Sequence, residues 1–176
     1  MVSNKKQLYV ALYPSGVPGN EERKYHWGFL VGPKIEEGKQ VPGTRYHCEH
    51  VKNLPVQGWV YEDRPLIDVQ STTTLLARIL IAKIEDEERL ISILENTPVV
   101  QGDPNWRCRT WVHTVLENIR KDGKAIGTSN LNWAQIEPLA RQYVAGKTDS
   151  GRYGVNQDMS KPKSTWDLLE DRELVP

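Results

Sequence analysis

The chain reads as an α+β protein, an antiparallel β-sheet packed against helices, and three observations lead there. The first half holds short segments of alternating or continuous apolar residues, cut apart by Gly- and Pro-containing loops. The second half holds a stripe at helical spacing: Cys108, Trp111, Val112, Val115, Leu116 and Ile119. A length of 176 residues, 38% of them apolar, suits one soluble domain over 1–176 with a single sizeable core.

Segment 7–13, largely apolar and ending in Tyr13, reads as a first strand. A polar loop from Ser15 to Lys24 follows. In the second strand, 25–32, residues Tyr25, Trp27, Phe29 and Val31 alternate onto one face and leave His26, Gly28 and Leu30 on the other. The loop 33–43 suggests a hairpin to a third strand, 44–52, with Arg45, His47, Glu49 and Val51 on one side. A symmetric hairpin opposes His26 to His47, with Cβ atoms about 5 Å apart. Segment 59–69 continues the sheet, broken near Pro65; 75–84 is ambiguous between a buried strand and a helix, and 79–84 reads better as a strand. A short helix over 86–96 points Leu90, Ile91 and Leu94 inward. The clearest helix runs over 104–121, with Asp103 or Asn105 as cap and Gly123 past its end. A further helix covers 133–145. The polar stretch 147–163 has the length of a mobile loop or lid, and 165–170 docks behind it.

Balanced charge, 23 basic against 23 acidic residues, gives no electrostatic case for nucleic acid or an anionic membrane. No apolar run approaches the length of a membrane span. The opening Met1-Val2-Ser3-Asn4-Lys5-Lys6 lacks a signal-peptide core, so a reducing, cytoplasmic setting is expected. Two cysteines, Cys48 and Cys108, make no disulfide framework, and no metal-ligand spacing or phosphate loop is present. Neither a metal nor a cofactor is expected. Six tryptophans against one phenylalanine read first as core filling, each indole N–H finding a partner.

Chemistry concentrates in two strand histidines and one helix-start cysteine. A thiol needs a base to become a nucleophile, and a helix N-terminus favours the thiolate. Cys108 is therefore the candidate nucleophile, His26 its base, and His47 the group that orients His26. Arg107 and Arg109 flank the sulfur and add positive potential. Trp27, Trp106 and Arg109 are the candidate substrate-binding residues. The alternative for Cys108 is a small buried hydrophobe, and for the whole chain a non-catalytic module that binds a small molecule or peptide on the same scaffold. A metal held by His26, His47 and Cys108 has suitable ligand types without local ligand spacing.

Three stretches carry a resemblance: Tyr25-His26-Trp27-Gly28-Phe29-Leu30-Val31-Gly32, then Tyr46-His47, then Asn105-Trp106-Arg107-Cys108-Arg109-Thr110-Trp111-Val112. Their order resembles the circularly permuted papain-like cysteine enzymes of the lecithin:retinol acyltransferase-like group. There a His-Trp or His-Tyr strand is followed by a second histidine and, much later, by a cysteine at a helix N-terminus. The first stretch also resembles uncharacterised fungal proteins with a His-Trp-X-Leu-Leu-Val-Gly-Pro-Lys strand. The resemblance implies a permuted papain-like fold and a cysteine hydrolase or acyltransferase acting on a small-molecule or peptide acyl substrate. Arg107 stands where that group has Asn, and Arg109-Thr110 where it has Glu-His. No terminal hydrophobic anchor is present, so a phospholipid substrate is not implied.

Overall fold

The computed structural model describes residues 4–53 and 57–176. Met1 to Ser3, part of the segment read as lacking a signal core, lie outside the described residues. Among the described residues eight strands form one mixed sheet: β1 (Lys6–Pro14), β2 (Tyr25–Pro33), β3 (Gly43–Val51), β4 (Gly58–Leu66), β5 (Ala77–Ile84), β6 (Ile126–Ser129), β7 (Ser164–Asp167) and β8 (Arg172–Val175). Their order is β4-β3-β2-β1-β5-β7-β8, with β6 pairing β5 off that path. The helices are α1 (Glu87–Asn96), α2 (Cys108–Asp122) and α3 (Trp133–Asp149). Every pairing is antiparallel except β5 with β7. The α+β class follows from the element order. No helix among the described residues is long and apolar enough to cross a membrane.

Alternation in the strands divides the sheet into two faces. Leu8, Val10 and Leu12 of β1, Trp27, Phe29 and Val31 of β2, and Ala77, Ile79 and Ile81 of β5 form one core with the apolar stripes of all three helices. Each large side chain fully buried there contributes about 1.5–3 kcal/mol. On the outer face Tyr9, Ala11, Tyr13, Leu30, Leu75 and Leu80 form a second, smaller cluster under loops. Covered on both faces, β5 shows a near-continuous apolar run, which is why its pattern does not alternate.

One charge interrupts that run. Arg78 is fully buried on the outer face, donating from Nη1 and Nη2 to Glu36 at 2.6 and 3.0 Å and from Nε to Thr165 Oγ1 at 3.1 Å. Gln70 Nε2 donates to the same carboxylate at 2.7 Å, and the guanidinium lies 4.5 Å from the Tyr9 ring centre.

Several expected boundaries move. Asp103 does not cap α2: its carboxylate accepts the Asn105 N–H at 2.8 Å and its carbonyl accepts the Trp106 N–H at 3.2 Å. That turn consumes four residues, so the helix begins at Cys108 behind Arg107. The 147–163 stretch is partly helix, since α3 continues to Asp149. Its remainder is pinned to the sheet side by Tyr153 Oη donating to the Leu76 carbonyl, Ser71 Oγ to the Ser160 carbonyl, and Lys163 N–H to the Gln70 carbonyl. It is a tied-down connection to β7 rather than a lid. Pro65 does not break β4, because β4 is an edge strand and needs no donor there. The indole nitrogens of Trp27, Trp111 and Trp166 are buried without a hydrogen-bond partner, contrary to the expectation of a partner for each.

Candidate active site

On the outer face the β2–β3–β4 ladder lines up three side chains. The hairpin register is Gly28↔His47, two residues away from the symmetric pairing that would oppose His26 to His47. A shift of two keeps the parity, so both imidazoles still share one face. Gly28 is what lets His47 lie inward: a Cβ at Gly28 would sit 3.0 Å from His47 Cβ and 3.1 Å from the Tyr46 carbonyl oxygen. The two rings meet edge to face with centres 5.0 Å apart, and His26 Nε2 lies 2.7 Å from His47 Nδ1. Across β4, His47 pairs with Glu62, whose Oε2 lies 2.6 Å from His47 Nε2. The sequence pattern gives Glu62 no role. Its one available signal is its position on β4, and only the register of the β3–β4 hairpin turns that position into a contact.

Protonation states fix the direction of this chain. The His47 hydrogen bond holds the Glu62 carboxyl below its ordinary value, so it is an acceptor at neutral pH. Burial lowers the His47 pKa, outweighing the upward pull of Glu62, so the ring is neutral. His47 Nε2 must then carry the proton given to Glu62, which leaves Nδ1 as a lone pair. That lone pair accepts from His26 Nε2–H. Burial, then His47, then Arg45 bring the His26 pKa down to about 4, so this ring is neutral too. Its Nδ1 therefore bears a free lone pair, and it has no hydrogen-bond partner among the described residues. Glu62 and His47 thus set the tautomer of His26 and leave one basic nitrogen unused.

Cys108 belongs to the helix-side core, 6% exposed and clustered with Trp27, Cys48 and Trp106. It is the first residue of α2, which has no acidic residue in its first turn. Burial raises the thiol pKa, while the N–H groups of Trp27, Arg109 and Cys108 itself and the Arg109 charge pull it down; burial wins. The thiol is protonated at neutral pH: the N–H groups of the helix start and the Arg109 charge lower its pKa as expected, but burial raises it by more. The N–H of Trp27 is informative in another way. The β2–β3 ladder ends at Gly28↔His47. At the next residue, the neighbour of His26, the backbone faces the sulfur. No hydrogen bond joins Cys108 to His26 or His47 among the described residues.

The expected substrate-binding residues separate. Trp27 is fully buried, its ring 5.3 Å from that of Trp133 and 5.4 Å from the Arg141 guanidinium, so it has no surface to offer a ligand. Trp106 is 7% exposed and stacks edgewise on Trp59 at 5.4 Å, which makes it a wall of the core. Arg109 is partly exposed and its guanidinium is paired with Glu22 and Glu137. The metal set of His26, His47 and Cys108 is not assembled, because the sulfur lies in the helix-side core. His47, Glu49 and Glu62 do bring donor atoms within 4.8 Å of one another, but the Arg45 guanidinium already lies 3.7 Å from Glu62 and supplies positive charge there.

Comparison with known proteins finds one family model that matches residues 5–175, described as a family of unknown function, DUF6914. No curated protein and no solved structure matches the chain.

Proposed function

Because the chain belongs to the DUF6914 family, whose function is unknown, its chemistry must be read from its own residues, and we propose a cysteine-nucleophile acyl-transfer enzyme. The observation that carries this reading is the chain Glu62–His47–His26, which ends in a free Nδ1; Cys108 Sγ lies on the other face of β2, so the proton transfer requires the His26 ring to swing past the end of the β2–β3 ladder at Gly28↔His47. Catalytic hydrogen bonds in ligand-free enzymes are commonly long and tighten when substrate binds.

In the proposed cycle, His26 Nδ1 takes the thiol proton as Cys108 Sγ attacks an acyl carbonyl carbon. A C–S bond forms and the carbonyl π pair moves onto oxygen. In this scheme the N–H groups of Cys108 and Arg109, at the positive end of α2, are the donors to that oxyanion. As the intermediate collapses, the bond to the leaving group breaks and His26 returns its proton to that group. Water or another acceptor then attacks the thioester, again losing a proton to His26, and the thiol is regenerated when the C–S bond breaks. While His26 is charged, it donates through Nε2 to His47, and the Glu62 carboxylate stabilises the cation through the neutral His47 ring. Amides, isopeptides, thioesters and esters all fit this scheme, and the permuted papain-like architecture is proposed with it. So is a soluble, cytoplasmic setting.

p-Nitrophenyl acetate supplies the test. The expected result is one acetyl group added at Cys108, found by peptide mass mapping, and its loss in His26→Ala. A native protein that gains no acetyl group, yet acetylates at Cys108 after denaturation, would overturn the proposal in favour of a buried structural cysteine.

A further inference from the structure

The loop between β1 and β2 is held across the start of α2 by three guanidinium groups. Arg107 Nε donates to both Glu22 oxygens at 2.9 and 3.2 Å, and Arg109 Nη2 donates to Glu22 Oε1 at 3.1 Å. Arg141 of α3 donates to the Glu21 and Glu22 carbonyls at 2.9 and 3.2 Å. Glu137 of α3 braces both Arg109 and Arg141. Arg107 and Arg109 are the chain neighbours of Cys108, so the Glu22 carboxylate bridges the two residues that flank the sulfur.

The Glu22 ion pairs and the two Arg141 hydrogen bonds to carbonyls hold this loop down. Residues 16–22 are all exposed, and even Val17 is left at the surface. Exposed ion pairs are individually weak and are screened by salt. α2 has no acidic residue of its own in its first turn; Glu22 supplies an anion to this helix start, pairing Arg107 and sharing Arg109 with Glu137.

We propose that residues 15–24 are a latch over Cys108, and that Glu22 occupies the position of an acid group on the substrate. This deepens the acyl-transfer reading and rests on it. When the latch lifts, Arg107 and Arg109 lose their shared carboxylate. A neutral acyl compound leaves them without it, whereas an acyl compound bearing a carboxylate, such as an acidic peptide, restores the pairing beside the nucleophile. The site therefore selects acidic acyl substrates, and they compete with Glu22 for entry.

Two alkylating reagents of the same size read this directly: neutral iodoacetamide and anionic iodoacetate, with modification of Cys108 followed by peptide mapping. Glu22→Gln is expected to raise the iodoacetamide rate about three- to tenfold, the scale of one or two exposed ion pairs. The iodoacetate rate should rise further, so that the ratio of the two rates increases. Added sodium chloride should speed iodoacetamide labelling of the native chain and leave Glu22→Gln unchanged. Urea unfolding midpoints of the two proteins establish that any difference is local. Equal iodoacetamide rates at equal stability would overturn the latch, and an unchanged rate ratio would overturn the acidic selectivity. Failure of the acyl-transfer reading looks different: Glu22→Gln would label faster and still take no acetyl group from p-nitrophenyl acetate.

Discussion

Two polar chains cross the outer face of the sheet, and they end differently. Around Arg78 each nitrogen of the guanidinium has an acceptor, Glu36 also receives Gln70, and Tyr9 covers the cation. Around His47 the chain runs from Glu62 to His26 and stops at an unpaired nitrogen. A buried network that closes on itself specifies structure, because loss of any member strands the others. One that ends in a lone pair has an unmet capacity to bind a proton. Placing both on one face of one sheet separates the two roles cleanly.

The largest expected effect falls on the open chain. His26→Ala should slow acetylation of Cys108 by p-nitrophenyl acetate about 10²–10⁴-fold, the usual worth of a positioned base. Its unfolding free energy in urea should fall by only about 1–3 kcal/mol, the cost of leaving the buried His47 Nδ1 without its donor, since no buried charge is stranded. If stability falls as far as reactivity, the two chains are not different in kind. Arg78→Leu is the converse experiment. It leaves Glu36 without its cation and should cost about 3–5 kcal/mol in urea unfolding, without changing the Cys108 rate in the fraction that remains folded.

Gly28→Ala addresses the packing beneath the open chain. Its methyl group would press on His47 Cβ and the Tyr46 carbonyl, so a loss of about 1–3 kcal/mol is expected. Acetylation should slow with it, because the ring that orients His26 has been displaced.

Acid sharpens the comparison further. His26 has its pKa lowered to about 4, below its unfolded value of 6.5. Between those values the unfolded chain binds the proton and the folded one does not. The stabilisation from His26 is therefore complete above about pH 6.5, declines as pH falls, and is gone below about 4. Urea midpoints should fall across that window, and the fall should be smaller in His26→Ala. Iodoacetamide labelling of Cys108 should climb steadily into the alkaline range, as befits a thiol whose pKa burial has raised. A plateau beginning below pH 6 would show a preformed thiolate and a different division of labour between sulfur and imidazole.

How much of this is legible in the sequence depends on distance along the chain. Alternation over 25–32 separates His26 from Trp27 correctly, because a strand's period is local. The stripe from Cys108 to Ile119 is local too. Glu62 is invisible because its partner is set by the register of a hairpin, and register depends on turn geometry rather than on pattern. The same limit produces the two-residue error between His26 and His47. The start of α2 is misplaced because Asp103 caps a turn just as readily as a helix. β6 and β8, four residues each, are too short to show a period, and they exist through the neighbours they pair with. Arg78 is hidden inside an apolar run because its counter-charge, Glu36, sits 42 residues away.

The parallel pairing of β7 with β5 has a consequence for how the molecule is made. On the side of β5 turned away from β1, Ala77 to Leu80 find their partners in Ser164 to Asp167. During synthesis Ala77 to Leu80 lack this partner until residues 164–167 have left the ribosome. A chain that stalls before residue 164 would display that edge to its neighbours, and intermolecular strand pairing would be the expected fate of such a fragment.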